Sequence, residues 1–159
     1  MEERIIVGIA EGKTAMAGQV LVSYALGSCV GVCIYDSKKR VAGMAHIVLP
    51  ENPRNIRQSN AYKFADEGVA ALIAHMCAMG CERHRLRAKI AGGARMFNTQ
   101  SDQWNIGTHN VAAVKAALAR EGIPVVGEDT GKNYGRTLIF HADDGVLEIQ
   151  NVRRSPAIL

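Results

Sequence analysis

Two apolar runs, Val30 to Tyr35 and Val41 to Leu49, are joined by the polar stretch Asp36-Ser37-Lys38-Lys39-Arg40. Strand-length runs rich in Val and Ile, with a turn-compatible joint between them, predict a β-hairpin. Both of its faces are largely apolar. Val30, Val32 and Ile34 share one face, and Cys29, Gly31 and Cys33 share the other. Such a sheet needs cover on both sides, from helices, a second sheet, or one of each.

The rest of the chain supplies that cover. Arg4 to Ala10 and Val20 to Tyr24 read as strands, the second leading into the small-residue turn Ala25-Leu26-Gly27-Ser28. Pro50-Glu51-Asn52-Pro53 ends the hairpin, and a polar loop runs on to about Asn60. From Ala61 to Met79, apolar residues at Tyr62, Ala65, Val69, Leu72, Ile73, Met76 and Met79 mark one face of a helix, with Gly80 as its terminator. Leu86, Ala88 and Ile90 alternate with basic residues as a strand. A second helix spans Thr108 to Arg120, with Val111, Val114 and Leu118 inward and Gly122 as its stop. Val125-Val126, Thr137 to His141 and Val146 to Val152 are further strands. The expected fold is α/β (α+β): one domain over residues 1–159, a sandwich of mixed β-sheets with two main helices.

At 159 residues the chain is long enough to bury a core without staples. Its longest apolar stretches are strand-sized, so no membrane insertion is expected. The charged start Met-Glu-Glu-Arg does not read as a secretory signal. Four cysteines (Cys29, Cys33, Cys77, Cys81) are too sparse for a disulfide scaffold and fit a reducing compartment, so the expected location is cytoplasmic. A net charge of +4 raises the question of nucleic acid. The basic residues are scattered and stacking aromatics are few, so no nucleic-acid partner is expected. An acidic protein partner would suit the charge equally well.

Chemistry concentrates on Cys29. It follows Gly27-Ser28 at the start of a strand, where a glycine-permitted tight turn can expose the sulfur and aim backbone N–H groups outward. On context alone it reads more readily as a small buried hydrophobe, the commoner fate of a free cysteine. The hairpin adds a second group. With the turn centred between Lys38 and Lys39, His46 lies opposite Gly31 and becomes a diagonal neighbour of Cys29 on one face, with Cβ atoms somewhat under about 7–8 Å apart. Gly31 leaves the imidazole room to lean. A one-residue slip would separate the two groups onto opposite faces. A histidine beside a thiol can take its proton, hold the thiolate as an ion pair, and later protonate a leaving amine. Ser23, at the end of the preceding strand, offers a hydroxyl to orient the imidazole.

Other cysteine readings compete less well. His75, Cys77, Cys81 and His84 lie close in sequence but lack a zinc knuckle, and Met76 and Met79 mark the segment as packing helix. Cys29 and Cys33 are about 13 Å apart along a strand, too far for a disulfide. No metal or cofactor is expected.

The stretch Leu26-Gly27-Ser28-Cys29-Val30-Gly31-Val32, followed by Gly43-Met44-Ala45-His46-Ile47-Val48-Leu49-Pro50, resembles the CheD family of chemoreceptor glutamine deamidases. Lys89-Ile90-Ala91-Gly92-Gly93-Ala94 before Met96-Phe97, Asn105-Ile106-Gly107 with Asn110, and Glu128-Asp129-Thr130-Gly131 with Asn133 and Arg136 agree in order and spacing. The resemblance implies hydrolysis of glutamine side chains on the chemoreceptor helical bundle, some receptor methylesterase activity, and a fold related to bacterial toxin deamidases. It implies Cys29 as nucleophile, His46 as base and Ser23 where the family typically has threonine. The implied partners are the chemoreceptor and, where present, the phosphatase CheC. A non-catalytic adaptor binding receptors or CheC is the alternative. Gly92-Gly93 and Gly131 read as positions of positive φ or close backbone approach beside the site.

Overall fold

The computed structural model describes residues 2–53, 60–96, 105–151 and 156–159. The predicted loop through 54–59, Phe97 and the Val152 end of the last predicted strand lie outside them.

The hairpin forms as expected from strands β4 (Val30–Asp36) and β5 (Val41–Ile47), with Gly31 paired to His46. Asp36 pins the turn: its Oδ1 accepts the backbone N–H groups of Lys38 and Lys39 at 3.0 and 3.1 Å. The carboxylate is fully buried against Arg85, which donates from Nε at 3.0 Å and from Nη2 at 3.0 Å. The register of the hairpin therefore rests on a charged anchor as well as on its apolar pattern.

The hairpin is the centre of a five-stranded mixed sheet. Its order is β2 (Gly12–Met16), β5, β4, β6 (Arg87–Gly92) and β7 (Val125–Thr130), with only β6 and β7 parallel. A second mixed sheet runs β1 (Glu3–Ile6), β3 (Gln19–Leu26), β8 (Arg136–His141), β9 (Leu147–Gln150) and β10 (Ala157–Ile158), with β1 parallel to β3. Helices α1 (Ala65–Ala78) and α2 (Ile106–Arg120), with a short 3-10 turn at Arg83–Arg85, complete the described elements.

The cover demanded by the two-faced hairpin is one of each kind. Val30, Val32, Ile34, Ala45 and Ile47 pack beneath the two helices, against Val69, Leu72, Ile73, Met76, Val114 and Leu118. Cys33, Ala42, Met44 and Ala91 face the second sheet, against Leu21, Leu26, Leu138 and Phe140. Each fully buried Leu or Ile in these layers contributes about 1.5–3 kcal/mol.

Several element bounds differ from expectation. The first helix starts at Ala65 rather than Ala61, because the Lys63 carbonyl is used by the N–H groups of Val48 and Leu49, at 3.2 and 3.0 Å. Gly80 (φ 96°) terminates it as expected. The second helix starts two residues early, at Ile106, where Asn105 Oδ1 accepts the Thr108 N–H at 3.3 Å. Strand β3 runs through Ala25 and Leu26, which read as a turn, by means of a bulge with Ala25 at φ 54°. Arg83 to Arg85 form a 3-10 turn ahead of β6. Strands β2 and β10 were not predicted: β2 is a polar edge strand with one buried residue, and β10 has two residues.

Candidate active site

Cys29 closes the bend Gly27–Cys29 that links β3 to β4, and it is partly exposed. His46 is 2% exposed on β5 and Ser23 is fully buried on β3. Ser23 and His46 belong to different sheets and meet across the sandwich, with Ser23 Oγ 2.8 Å from His46 Nδ1. Cys29 lies two residues before Gly31, the partner of His46, on the side of the hairpin that faces the second sheet. Ser23 and His46 are thus in contact, and Cys29 lies on the same side of the hairpin.

The hydrogen bonds settle the imidazole's tautomer. Ser23 Oγ lies 2.7 Å from the Val7 carbonyl, which can only accept. The single hydroxyl proton goes to Val7, so Ser23 must accept from His46 Nδ1–H. Nε2 is left with its lone pair, which suits a general base. The His46 backbone is held as well: its N–H donates to Glu11 O at 2.9 Å and its carbonyl accepts from Ala10 N–H at 3.0 Å.

The room expected above Gly31 is already filled. A Cβ there would lie 2.3 Å from Leu138 Cδ1 and 3.3 Å from Leu26 Cδ2. The missing side chain lets the second sheet approach, and the ring is steered by Ser23.

Burial acts on both titrating groups in the same sense. It pushes the Cys29 thiol above the usual thiol range, with its own backbone N–H partly offsetting that. It pushes His46 below the usual imidazole range. Desolvation disfavours charge on either group.

The turn carrying Cys29 is held through its carbonyls. Gly27 O accepts from Ala94 N–H at 2.8 Å, Ser28 O from Asn110 Nδ2 at 2.9 Å, and Cys29 O from Gly93 N–H at 2.8 Å. Gly92 and Gly93 have φ of 111° and 65°, and Gly131 has φ of 79°. A Cβ on Gly92 would lie 2.3 Å from Cys29 O, so the predicted need for glycine here has a concrete cause. Beside the turn is a cavity of about 470 Å³, lined by Ser28, Val48, Ala94, Met96 and Ile106 among others.

Sequence reasoning assigned no role to Asn110 or to the Val7 carbonyl. Asn110 did carry a signal: it is a polar residue on the buried stripe Gly107, Asn110, Val114, Ala117 of α2. The Val7 carbonyl had none. The remaining cysteines stand apart. Cys33 is buried deep between the sheets, its thiol driven far upward by desolvation. Cys77 and Cys81 belong to the helix side of the hairpin sheet. Among the described residues, no helix is long and apolar enough to cross a membrane.

The model of the family described as "CheD chemotactic sensory transduction" matches residues 48–151. A protein of Caldanaerobacter subterraneus subsp. tengcongensis, "Probable chemoreceptor glutamine deamidase CheD", is 45% identical over 155 residues, covering 96% of each chain. A protein of the same description from Moorella thermoacetica is 45% identical over 156 residues, covering 96% of this chain and 93% of its own. The crystal structure of Neisseria meningitidis protein NMB0706 superposes at a TM-score of 0.52 with 12% identity, over 87% of this chain and 74% of that one. That last likeness concerns the fold alone, an α/β arrangement of two mixed sheets and two helices. On sequence, over nearly its whole length, the chain belongs to the CheD family.

Proposed function

We propose that this chain, as one CheD-like domain over residues 1–159, hydrolyses glutamine side chains of chemoreceptors to glutamate and releases ammonia. Cys29 acts as nucleophile, His46 as general base and acid, and Ser23 as the residue that orients the imidazole. The observation that carries this reading is the Val7–Ser23–His46 relay, which presents a basic Nε2 on the Cys29 face of the hairpin. The names borne by relatives at 45% identity supply the substrate class.

In this mechanism His46 Nε2 takes the Cys29 proton as sulfur attacks the glutamine carboxamide carbon. Because burial disfavours charge on both groups, proton transfer accompanies attack. The carbonyl oxygen becomes an oxyanion held by backbone N–H groups of the turn. The imidazolium returns its proton to the departing nitrogen, ammonia leaves, and a thioester remains. Water then gives one proton to His46 and adds its oxygen to the thioester carbon. Sulfur leaves, regains the proton, and glutamate is released.

The same acyl chemistry would act on a methyl ester with methanol as leaving group, so receptor methylesterase activity belongs to this reading. CheC is the proposed regulatory partner where the host has it. A nucleophilic thiol needs a reducing compartment, which is consistent with the cytoplasm.

The test is mass spectrometry of a chemoreceptor cytoplasmic fragment, with a gain of about one dalton expected per converted glutamine. A Cys29→Ala protein that still produces that gain would overturn the nucleophile assignment. Binding of the fragment with no conversion by the unaltered protein would favour a non-catalytic adaptor.

A further inference from the structure

Three successive carbonyls in the nucleophile's turn, those of Gly27, Ser28 and Cys29, each have a separate donor. The outer two are held by the main chain of Ala94 and Gly93. The middle one is held by a side chain, the amide of Asn110, at 2.9 Å. The same amide nitrogen also donates to Val48 O at 2.9 Å, two residues beyond His46. One buried carboxamide thus joins the turn of the thiol to the strand of the base.

The chain goes to some trouble to place this group. Asn110 is fully buried, and both of its partners are acceptors, so its nitrogen must face them. Its Oδ1 is left buried with no hydrogen-bond partner among the described residues, an unfavourable arrangement for an amide with only a packing role. Helix α2 reaches this depth because its first turn carries Gly107. A Cβ there would lie 2.3 Å from Ala94 O and 2.6 Å from Gly93 O. Asn110 follows almost one helical turn later, over Ser28 and Val48.

The geometry has a directional consequence. The Ser28–Cys29 peptide is trans, so its N–H points opposite to its C=O. Drawing Ser28 O toward Asn110 turns the Cys29 N–H the other way. That N–H lies beside the Cys29 sulfur itself. We propose that Asn110 is a positioning residue that holds the Cys29 N–H in the direction required of an oxyanion donor. This rests on Cys29 being the nucleophile.

Two reactions of the same thiol separate this role from general upkeep of the site. Amide hydrolysis builds an oxyanion, whereas alkylation by iodoacetamide displaces iodide at a saturated carbon and builds none. Asn110→Ala and Asn110→Ser should lower kcat for deamidation on the order of 10²-fold, with KM and the alkylation rate changed by less than about threefold. Retained deamidation would overturn the proposal. So would a parallel fall of both reactions in a folded variant, since that would mean Asn110 only keeps thiol and imidazole together. If neither variant folds, the unaltered protein labelled with 15N at cysteine provides the test. Addition of a glutamine-mimicking peptide aldehyde, which forms a thiohemiacetal oxygen at the site, should move the Cys29 amide proton downfield, and iodoacetamide should not. An unmoved amide would overturn the proposal. Failure of the parent reading shows separately, as activity surviving Cys29→Ala.

Discussion

Ser23 Oγ accepts a hydrogen bond from His46 Nδ1 at 2.8 Å while donating its own proton to Val7 O at 2.7 Å. The two residues come from different sheets, so the hydroxyl is both an orienter of the imidazole and a polar tie across an otherwise apolar layer. Removing the hydroxyl leaves a buried Nδ1–H and a buried carbonyl without this partner. Ser23→Ala should therefore cost about 1–3 kcal/mol in urea unfolding. It should also slow deamidation about 10- to 100-fold, less than His46→Ala does, because the base remains but its tautomer is no longer enforced. Ser23→Thr keeps the hydroxyl and stiffens χ1, so it should retain activity within a few-fold. Equal losses for Ser23→Ala and His46→Ala would show that the hydroxyl does more than orient.

Burial that disfavours charge on both groups has a kinetic signature. It raises the thiol and lowers the imidazole, so thiolate should accumulate only as pH climbs past the usual thiol range. The iodoacetamide rate at Cys29 should rise steadily across that range with no plateau between about pH 5 and 7. A flat acid plateau would reveal a preformed ion pair and refute this expectation. The lowered imidazole has the complementary effect on deamidation: burial disfavours protonation of His46, so the acid limb of kcat/KM should fall at lower pH than for a solvent-exposed histidine.

Gly92 supports the site by what it lacks. It has φ 111°, and a Cβ would come within 2.3 Å of Cys29 O, which is backbone and cannot swing aside. Gly92→Ala should cost about 1–3 kcal/mol from the backbone conformation alone, before the clash is counted. It should also displace the turn of the nucleophile, so deamidation and Cys29 alkylation should decline together. Unchanged stability would show that the turn can move without cost.

Asp36 sets the register that brings His46 beside Gly31, and its ionisation is tied to folding. Burial by itself would raise its carboxyl. The Arg85 hydrogen bonds and the backbone N–H groups of Lys39 and Glu82 outweigh that and bring it down to about 2. An unfolded aspartate titrates near pH 3.9. The unfolded chain therefore takes up the proton first, and the stability contributed by Asp36 is full above about pH 4 and is lost as pH falls toward 2. Asp36→Asn should lower the thermal midpoint at pH 7 and flatten its decline between pH 4 and 2. A variant with the same acid dependence as the unaltered chain would refute this.

The sequence by itself determined whatever depends on repeat distance along one or two neighbouring elements. The turn between Lys38 and Lys39, with a period of two on either side, was enough to predict the pairing of His46 with Gly31 and the shared face of Cys29. The spacing of Val69, Leu72, Ile73 and Met76 was enough to predict the buried face of α1. Both signals are local, because a strand or helix repeats its faces at a fixed interval. Tertiary structure alone decided what crosses between layers. The acceptor of the Ser23 proton is a carbonyl, a group every residue carries, so no side-chain pattern could single out Val7. The amide that holds Ser28 arrives on a helix far along the chain, at a depth set by Gly107 and Gly93. The desolvation of the thiol and the imidazole was decided this way too. It depends on how much water the second sheet and the helices exclude, which no interval between residues encodes.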